Sequence, residues 1–148
     1  VFVTVNVENG LMVNAVVART FDADNTGGNP LAEGAFSVEP GQTSTFYVGA
    51  TPVRRQKVRI EVYGFYLTNT GNLQLLELPS RVRTGDMGLV SDRAIVTYVD
   101  DQVVKVSLAL RGVCRMTLGR SRCPVNQHCD AGGGCVSAEV DNPPRYQW

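Results

Sequence analysis

The sequence predicts an all-β fold, an antiparallel β-sandwich that ends in a small disulfide-stapled knob. Three observations predict it. Apolar residues recur with a period of two in short runs, as the alternating faces of a half-buried strand require. Gly, Pro and Asn turn signals separate those runs roughly every 8 to 12 residues. All four cysteines, Cys114, Cys123, Cys129 and Cys135, fall late in a chain of 148 residues.

The first run, residues 1–7, places valine at every odd position. Asn9-Gly10 follows at once. Both residues tolerate the positive φ of a type I′ turn, so a hairpin to a partner strand over Leu11 to Phe21 is expected. A polar loop from Asp22 to Pro30 leads to short strands over Leu31 to Val38 and around Phe46-Tyr47-Val48, with Pro40-Gly41 turning between them. Lys57 to Tyr66 alternates most clearly. There Val58, Ile60 and Val62 share a core face, while Lys57, Arg59 and Glu61 share a face expected to be wet. Tyr63 and Phe65 continue that outward face as contact residues for a protein or a sugar, unless a covering loop or a bulge at Gly64 takes them from the surface.

Leu73 to Leu78 reads as a strand ended by Pro79, and Arg81 to Asp92 as a Gly-punctuated connection. Ala94 to Val99 and Gln102 to Leu110 read as a second hairpin about Asp100-Asp101, with Val104, Val106, Leu108 and Leu110 on one face. No window longer than two helical turns carries apolar residues at three-four spacing, so about eight strands and no helix are expected. At the level of layers this is immunoglobulin-like or transthyretin-like. An immunoglobulin core proper needs a Trp between bridged cysteines, and the one Trp here is Trp148, the last residue. The chain divides into a sandwich domain (1–112), a Cys-rich module (113–137) and an extended tail (138–148).

Lys plus Arg equals Asp plus Glu at 14 each, so no whole-molecule field draws nucleic acid to the protein. No run approaches the roughly 18 apolar residues of a membrane span, so no transmembrane segment is expected. The chain opens on Val1, as after removal of a leader or in a fragment.

The cysteines are separated by eight, five and five residues. With His128 they offer five soft ligands for a metal. Zinc modules, however, usually carry a close Cys-x-x-Cys pair, which is missing here, so a disulfide framework is expected in an oxidising compartment. Of the three pairings, the interleaved one, Cys114 with Cys129 and Cys123 with Cys135, closes two overlapping loops. The unit is too short to own a core, and cross-links are expected to replace burial at about 2 to 4 kcal/mol each.

Other constellations are weighed against plain structural use. Asp22, Asp24 and Thr26, with Gly27 and then Glu33 as the twelfth position, fall in the register of a calcium loop; a polar loop between strands accounts for the same residues. No cofactor is expected, unless this loop holds calcium. His128 reads as a surface histidine, and Glu61 and Glu77 as structural carboxylates rather than a glycosidase pair. Arg111, Arg115, Arg120 and Arg122 form a local basic stretch open to an acidic partner or an anionic glycan. The aromatic tail residues Tyr146 and Trp148 either pack on the sandwich or dock on a neighbouring subunit.

Cys114, Cys123, Pro124, Cys129, Gly133, Cys135 and Val136 spell a Cys…Cys-Pro…Cys…Gly-x-Cys-Val pattern directly after the last strand. This resembles a layout in secreted and lipid-anchored bacterial cell-surface proteins, a β-sandwich followed by a short four-cysteine module. The resemblance implies export and a non-enzymatic envelope or extracellular component. The expected function is therefore structural or assembly work in a bacterial envelope or extracellular appendage, with contacts to other protein subunits, the chain itself included, made through its ends and tail. A carbohydrate-binding or adhesion module is the alternative, and the expected location is secreted, periplasmic or cell-surface.

Overall fold

The computed structural model describes residues 2–24, 29–48, 56–68, 72–98, 104–115 and 123–140. Among these lie nine strands and one α-helix. The strands are β1 (Phe2–Val7), β2 (Ala15–Asp22), β3 (Ala32–Ser37), β4 (Thr43–Tyr47), β5 (Gln56–Phe65), β6 (Val90–Tyr98), β7 (Lys105–Leu110), β8 (Gln127–Cys129) and β9 (Cys135–Ser137); the helix α1 (Asn72–Arg83) lies between β5 and β6. The fold is all-β. One sheet has the order β4-β1-β7, a second β3-β2-β5-β6, and β8-β9 form a separate ribbon.

The period-two valines build the interior. Val3, Val5 and Val7 of β1 and Val106, Leu108 and Leu110 of β7 face Val16 and Ala18 of β2, Val58, Ile60 and Val62 of β5, and Ala94 and Val96 of β6 in a single buried cluster. The expectation of wholly antiparallel sheets is corrected at one place: β1 runs parallel to β7, with Val3 opposite Val106 and Val5 opposite Leu108.

Both expected hairpins are also corrected. β1 pairs with β4 and β7, whereas β2 pairs with β3 and β5, so the chain after Asn9-Gly10 crosses from one sheet to the other. Gly10 keeps its positive φ of 83°, but the turn begins an arch. Leu11 and Val13 are buried inside that arch, and the Asn14 side chain holds its end by accepting from Leu67 N–H (2.7 Å) and donating to Leu67 C=O (2.8 Å). β2 is buried on both faces, which suits an inner strand of the larger sheet. β6 and β7 likewise stand in different sheets.

The segment read as a strand ended by Pro79 is the helix α1, with Pro79 inside it. Its buried stripe, Leu75, Leu78 and Val82, has the three-four spacing of an amphipathic helix but is only three residues long. Gly85 ends it: Gly85 N–H donates to Val82 C=O (3.1 Å) and Asp86 N–H to Arg81 C=O (2.9 Å), a Schellman cap whose left-handed residue has φ 105°. The stripe lies on Ala15, Val17, Tyr63, Phe65 and Leu67.

The outward face of β5 is therefore not wet. Arg59, Glu61, Tyr63 and Phe65 are all buried, and only Lys57 on that face is exposed. Gly64 makes no bulge, since pairing runs unbroken through it on both sides. A Cβ there would stand 3.1 Å from each of Leu110, Val13 and Val90, so glycine lets the two sheets meet closely.

Replacing Leu78, which is fully buried, by Ala should cost about 2 to 5 kcal/mol. Leu76, 73% exposed on the same helix, should tolerate Ala within about 0.5 kcal/mol. Denaturant unfolding of the two variants checks this; equal losses would contradict the placement of α1.

Candidate functional site

The β6 and β7 edges lie on one flank of the sandwich, and the Cys-rich module packs along β6. Its cysteines form the interleaved pairs, Cys114–Cys129 with Cα atoms 5.9 Å apart and Cys123–Cys135 with Cα atoms 5.5 Å apart. The expectation that cross-links replace burial is corrected here. Cys114, Cys123 and Cys129 are buried and join the sandwich's own core cluster, so the sulfurs act as interior side chains as well as staples.

Three devices lock the module down. Arg93 on β6 directs one guanidinium nitrogen at the carbonyls of Pro124 (2.7 Å), Cys123 (3.4 Å) and Gln127 (3.4 Å). Ile95 N–H donates to Ala138 C=O (2.8 Å) and Ile95 C=O accepts from Val140 N–H (2.9 Å), which extends the sheet past β6 with a parallel bridge. Asp92 sits on the core-facing side of β6 opposite Val62. It accepts from Ala109 N–H of β7 (2.9 Å) and from its neighbour Arg93 N–H (2.9 Å), and it meets His128 Nδ1 of β8 at 3.1 Å. Burial pushes the Asp92 carboxyl above the ordinary aspartate range, against the opposing pull of the Ala109 and Arg93 amides and of His128. His128 is thus a half-buried partner in the contact between module and sandwich, not a plain surface residue.

The outer face of the larger sheet carries a transverse row of alternating charge. Register places Glu33 of β3 beside Arg19 of β2, Arg19 beside Glu61 of β5, and Glu61 beside Arg93 of β6. Glu61 meets Arg59 at 3.1 Å and Arg93 at 3.6 Å, and Glu33 meets Arg19 at 3.5 Å and Arg83 of α1 at 3.3 Å. The Arg19 and Arg59 guanidiniums stand over the Phe21 ring at 4.9 and 4.6 Å. In such a buried network desolvation offsets much of the ion-pair attraction, and loss of one partner would leave a buried charge uncompensated. Its last strand is β6, so the module docks on the end of the row.

The site residues named from sequence scatter. Tyr63 and Phe65 are under α1, so their expected role as exposed contacts is corrected. Arg81 stands over Phe65 at 5.2 Å, and the Tyr63 hydroxyl donates to Glu61. Glu33 faces two arginines, and Asp22 accepts from Asp24 N–H (3.0 Å); Thr26 lies outside the described residues. Among the described residues no three His, Cys, Asp or Glu side chains converge to hold a metal ion. Glu77 is exposed on α1 and far in role from the buried Glu61. Arg111 donates to Cys129 C=O (3.4 Å), while Arg120, Arg122, Tyr146 and Trp148 lie outside the described residues.

The opposite flank is built differently. β3 and β4 are the other two edge strands, and Phe36 stacks on Phe46 across them at 4.3 Å to close the core. Val7 N–H donates to Gln42 C=O (3.2 Å), which sets the phase of the β1–β4 ladder. Residues 42, 44 and 46 therefore bond inward, and the N–H and C=O groups of Thr43, Thr45 and Tyr47 point away from β1. No strand among the described residues pairs with them. β4 reads Thr-Ser-Thr-Phe-Tyr, without the charge, proline or bulge that usually guards an edge. Tyr47 is 61% exposed and packs edge-on against Phe2 at 5.4 Å.

No known protein family, curated protein or solved structure matches this chain. Two disulfides suit an oxidising compartment, and among the described residues no helix is long and apolar enough to cross a membrane.

Burial, and then the adjoining Glu61 carboxylate, raise the Tyr63 hydroxyl above the ordinary tyrosine range. Above about pH 10 the unfolded chain releases this proton while the folded chain keeps it, so stability falls as pH rises, by up to about 1.4 kcal/mol per pH unit. Tyr63→Phe should remove that part of the slope in denaturant unfolding between pH 10 and 12; an unchanged slope would contradict the burial of this hydroxyl. Cys135 is exposed, whereas Cys114 and Cys129 are 3% and 6% exposed. Under native conditions a thiol reductant should open Cys123–Cys135 faster than Cys114–Cys129, by roughly tenfold or more, because exchange requires access to sulfur. Alkylation and peptide mass mapping over time reads the order directly.

Proposed function

We propose that this protein is a non-enzymatic structural or assembly component of a bacterial envelope or extracellular appendage, exported and oxidised, which joins protein neighbours by strand addition at β4. The observation that carries this reading is the contrast between the flanks. On one side the module covers β6 and the Asp92 carboxylate caps an amide of β7; on the other, three outward backbone positions of β4 meet no described strand. A sheet edge of this kind is a template for another chain, and the main-chain hydrogen bonds supply the affinity. The interleaved disulfides support export to an oxidising location at the cell surface or beyond. The glycan alternative loses its named platform, because Tyr63 and Phe65 are buried.

The test is the mass of the native particle. An assembly component should run as a species heavier than the 16.0 kDa chain, in purified material or with its natural neighbours, and rise in mass with concentration. Thr45→Pro removes an outward N–H without touching the β1 ladder, and it should return the particle to 16.0 kDa while the chain keeps a cooperative melting transition. A single 16.0 kDa species at all concentrations, in both native and variant material, would refute the reading.

A further inference from the structure

We infer that the strand added at β4 is the β4 of a second copy, paired antiparallel about a two-fold axis at Thr45. This rests on the assembly reading above and names its partner.

The register follows from the phase of the ladder. Thr43, Thr45 and Tyr47 present their backbone groups outward, two residues apart, with Thr45 at the centre. An antiparallel copy centred there sets Thr45 against Thr45 of the copy, and Thr43 against Tyr47 at either end. Each of these three pairs is a closely bonded one in which two residues exchange both hydrogen bonds, so all outward donors and acceptors of β4 are used. A register shifted by one residue on one strand would oppose outward groups to inward ones. A shift by two would leave one end unpaired.

Charge favours a second copy over a charged partner. β4 carries no charge, and its neighbour β1 is Phe-Val-Thr-Val-Asn-Val. Two identical edges therefore meet without like-charge repulsion, which opposes most self-pairings of strands. Side chains agree. Thr45 is held by Thr4 at 3.1 Å, Thr43 donates to Asn6, and Tyr47 rests on Phe2 with 61% of its surface free. Across the two-fold axis each Tyr47 reaches the Thr43 of the other copy, so the exposed ring gains a neighbour at both ends of the short ribbon. The other edge on this flank is less suited, because α1 stands over β3 and Arg83 reaches Glu33. The joined sheet would have the order β7-β1-β4-β4-β1-β7, with one isologous interface and a closed dimer. A five-residue ribbon is below the size of a tight interface, so the dimer is expected to be concentration-dependent.

The experiment uses the full oxidised chain. Register places the Thr45 Cα atoms about 5.5 Å apart across the axis, close enough for a short thiol-reactive linker to span them. Thr45→Cys should thus give a covalent dimer with a short bifunctional thiol cross-linker. Thr43→Cys alone should not, and an equal mixture of Thr43→Cys and Tyr47→Cys chains should form the mixed dimer. By sedimentation, Thr45→Pro should weaken dimerisation by about 30-fold or more, the loss of two hydrogen bonds, whereas Thr45→Val should stay within about threefold of the parent. Circular dichroism of each variant verifies the fold, and Thr45→Val serves as the folded control should Thr45→Pro fail. A chain that remains monomeric, or a cross-link at Thr43 alone, overturns the self-pairing. If a larger native particle is lost on Thr45→Pro while no Thr45→Cys dimer forms, the assembly reading stands and the second copy is the wrong partner. If neither occurs, both fall.

Discussion

Every sheet that does not close on itself ends in strands whose outward N–H and C=O groups must be covered, solvated or bonded to something else. A sandwich of three and four strands has four such edges, and this protein treats them in pairs. On the β6–β7 flank the edge of β6 is covered by the C-terminal chain through Ile95, which bonds Ala138 and Val140; the β6 side chains help, the carboxylate at position 92 capping an amide of β7 and the guanidinium at position 93 gathering three carbonyls of the module. On the β3–β4 flank stacked phenylalanines close the interior, and no strand among the described residues pairs with the rim of β4. The two disulfides matter chiefly because they hold the cover in the shape that fits β6.

Adjacent residues 92 and 93 divide this work by strand geometry. Successive side chains of β6 point to opposite faces, so Asp92 faces the interior and Arg93 the outer surface. One joins β7 and β8 from inside; the other anchors the module from outside while completing the charge row that begins at Glu33. Removal of either would leave buried polar groups unpaired on both sides of the seam, a larger loss than that of a surface ion pair.

Much of the fold was legible in the sequence, and what was not has physical causes. The alternation in residues 1–7, 57–66 and 104–110 correctly located strands and the face each turns inward, because that depends on local period alone. Partners were not legible. Asn9-Gly10 favours a tight turn, yet β1 and β2 are each inner strands that need two neighbours of their own, and a local turn signal carries no information about which sheet receives the chain. The helix was hidden by Pro79 and by a stripe of only Leu75, Leu78 and Val82. Arg59 and Glu61 looked wet because charge usually is; that they pair with each other and with neighbours on the adjoining strands β2 and β6 depends on cross-strand register, which no single run displays. The cysteine arithmetic gave the cross-linked module, and the pairing found is the interleaved one. Asp92 and His128 were unreadable as a pair, since they lie 36 residues apart and meet only after the module docks.

The central place of β1 carries a consequence for how the molecule is made. The first strand lies between β4 and β7, and Gly112 N–H reaches back 104 residues to the Glu8 carboxylate (3.2 Å). The smaller sheet cannot be completed until nearly the whole chain is available, and the cystines that follow cannot find their seat on β6 before that. Such long-range closure belongs to the slow end of single-domain folding, in milliseconds to seconds. Until β7 joins the sheet, Val3, Val5 and Val7 lack one of the two strands that flank them, so part of the core surface stays exposed until residues 105–110 are in place.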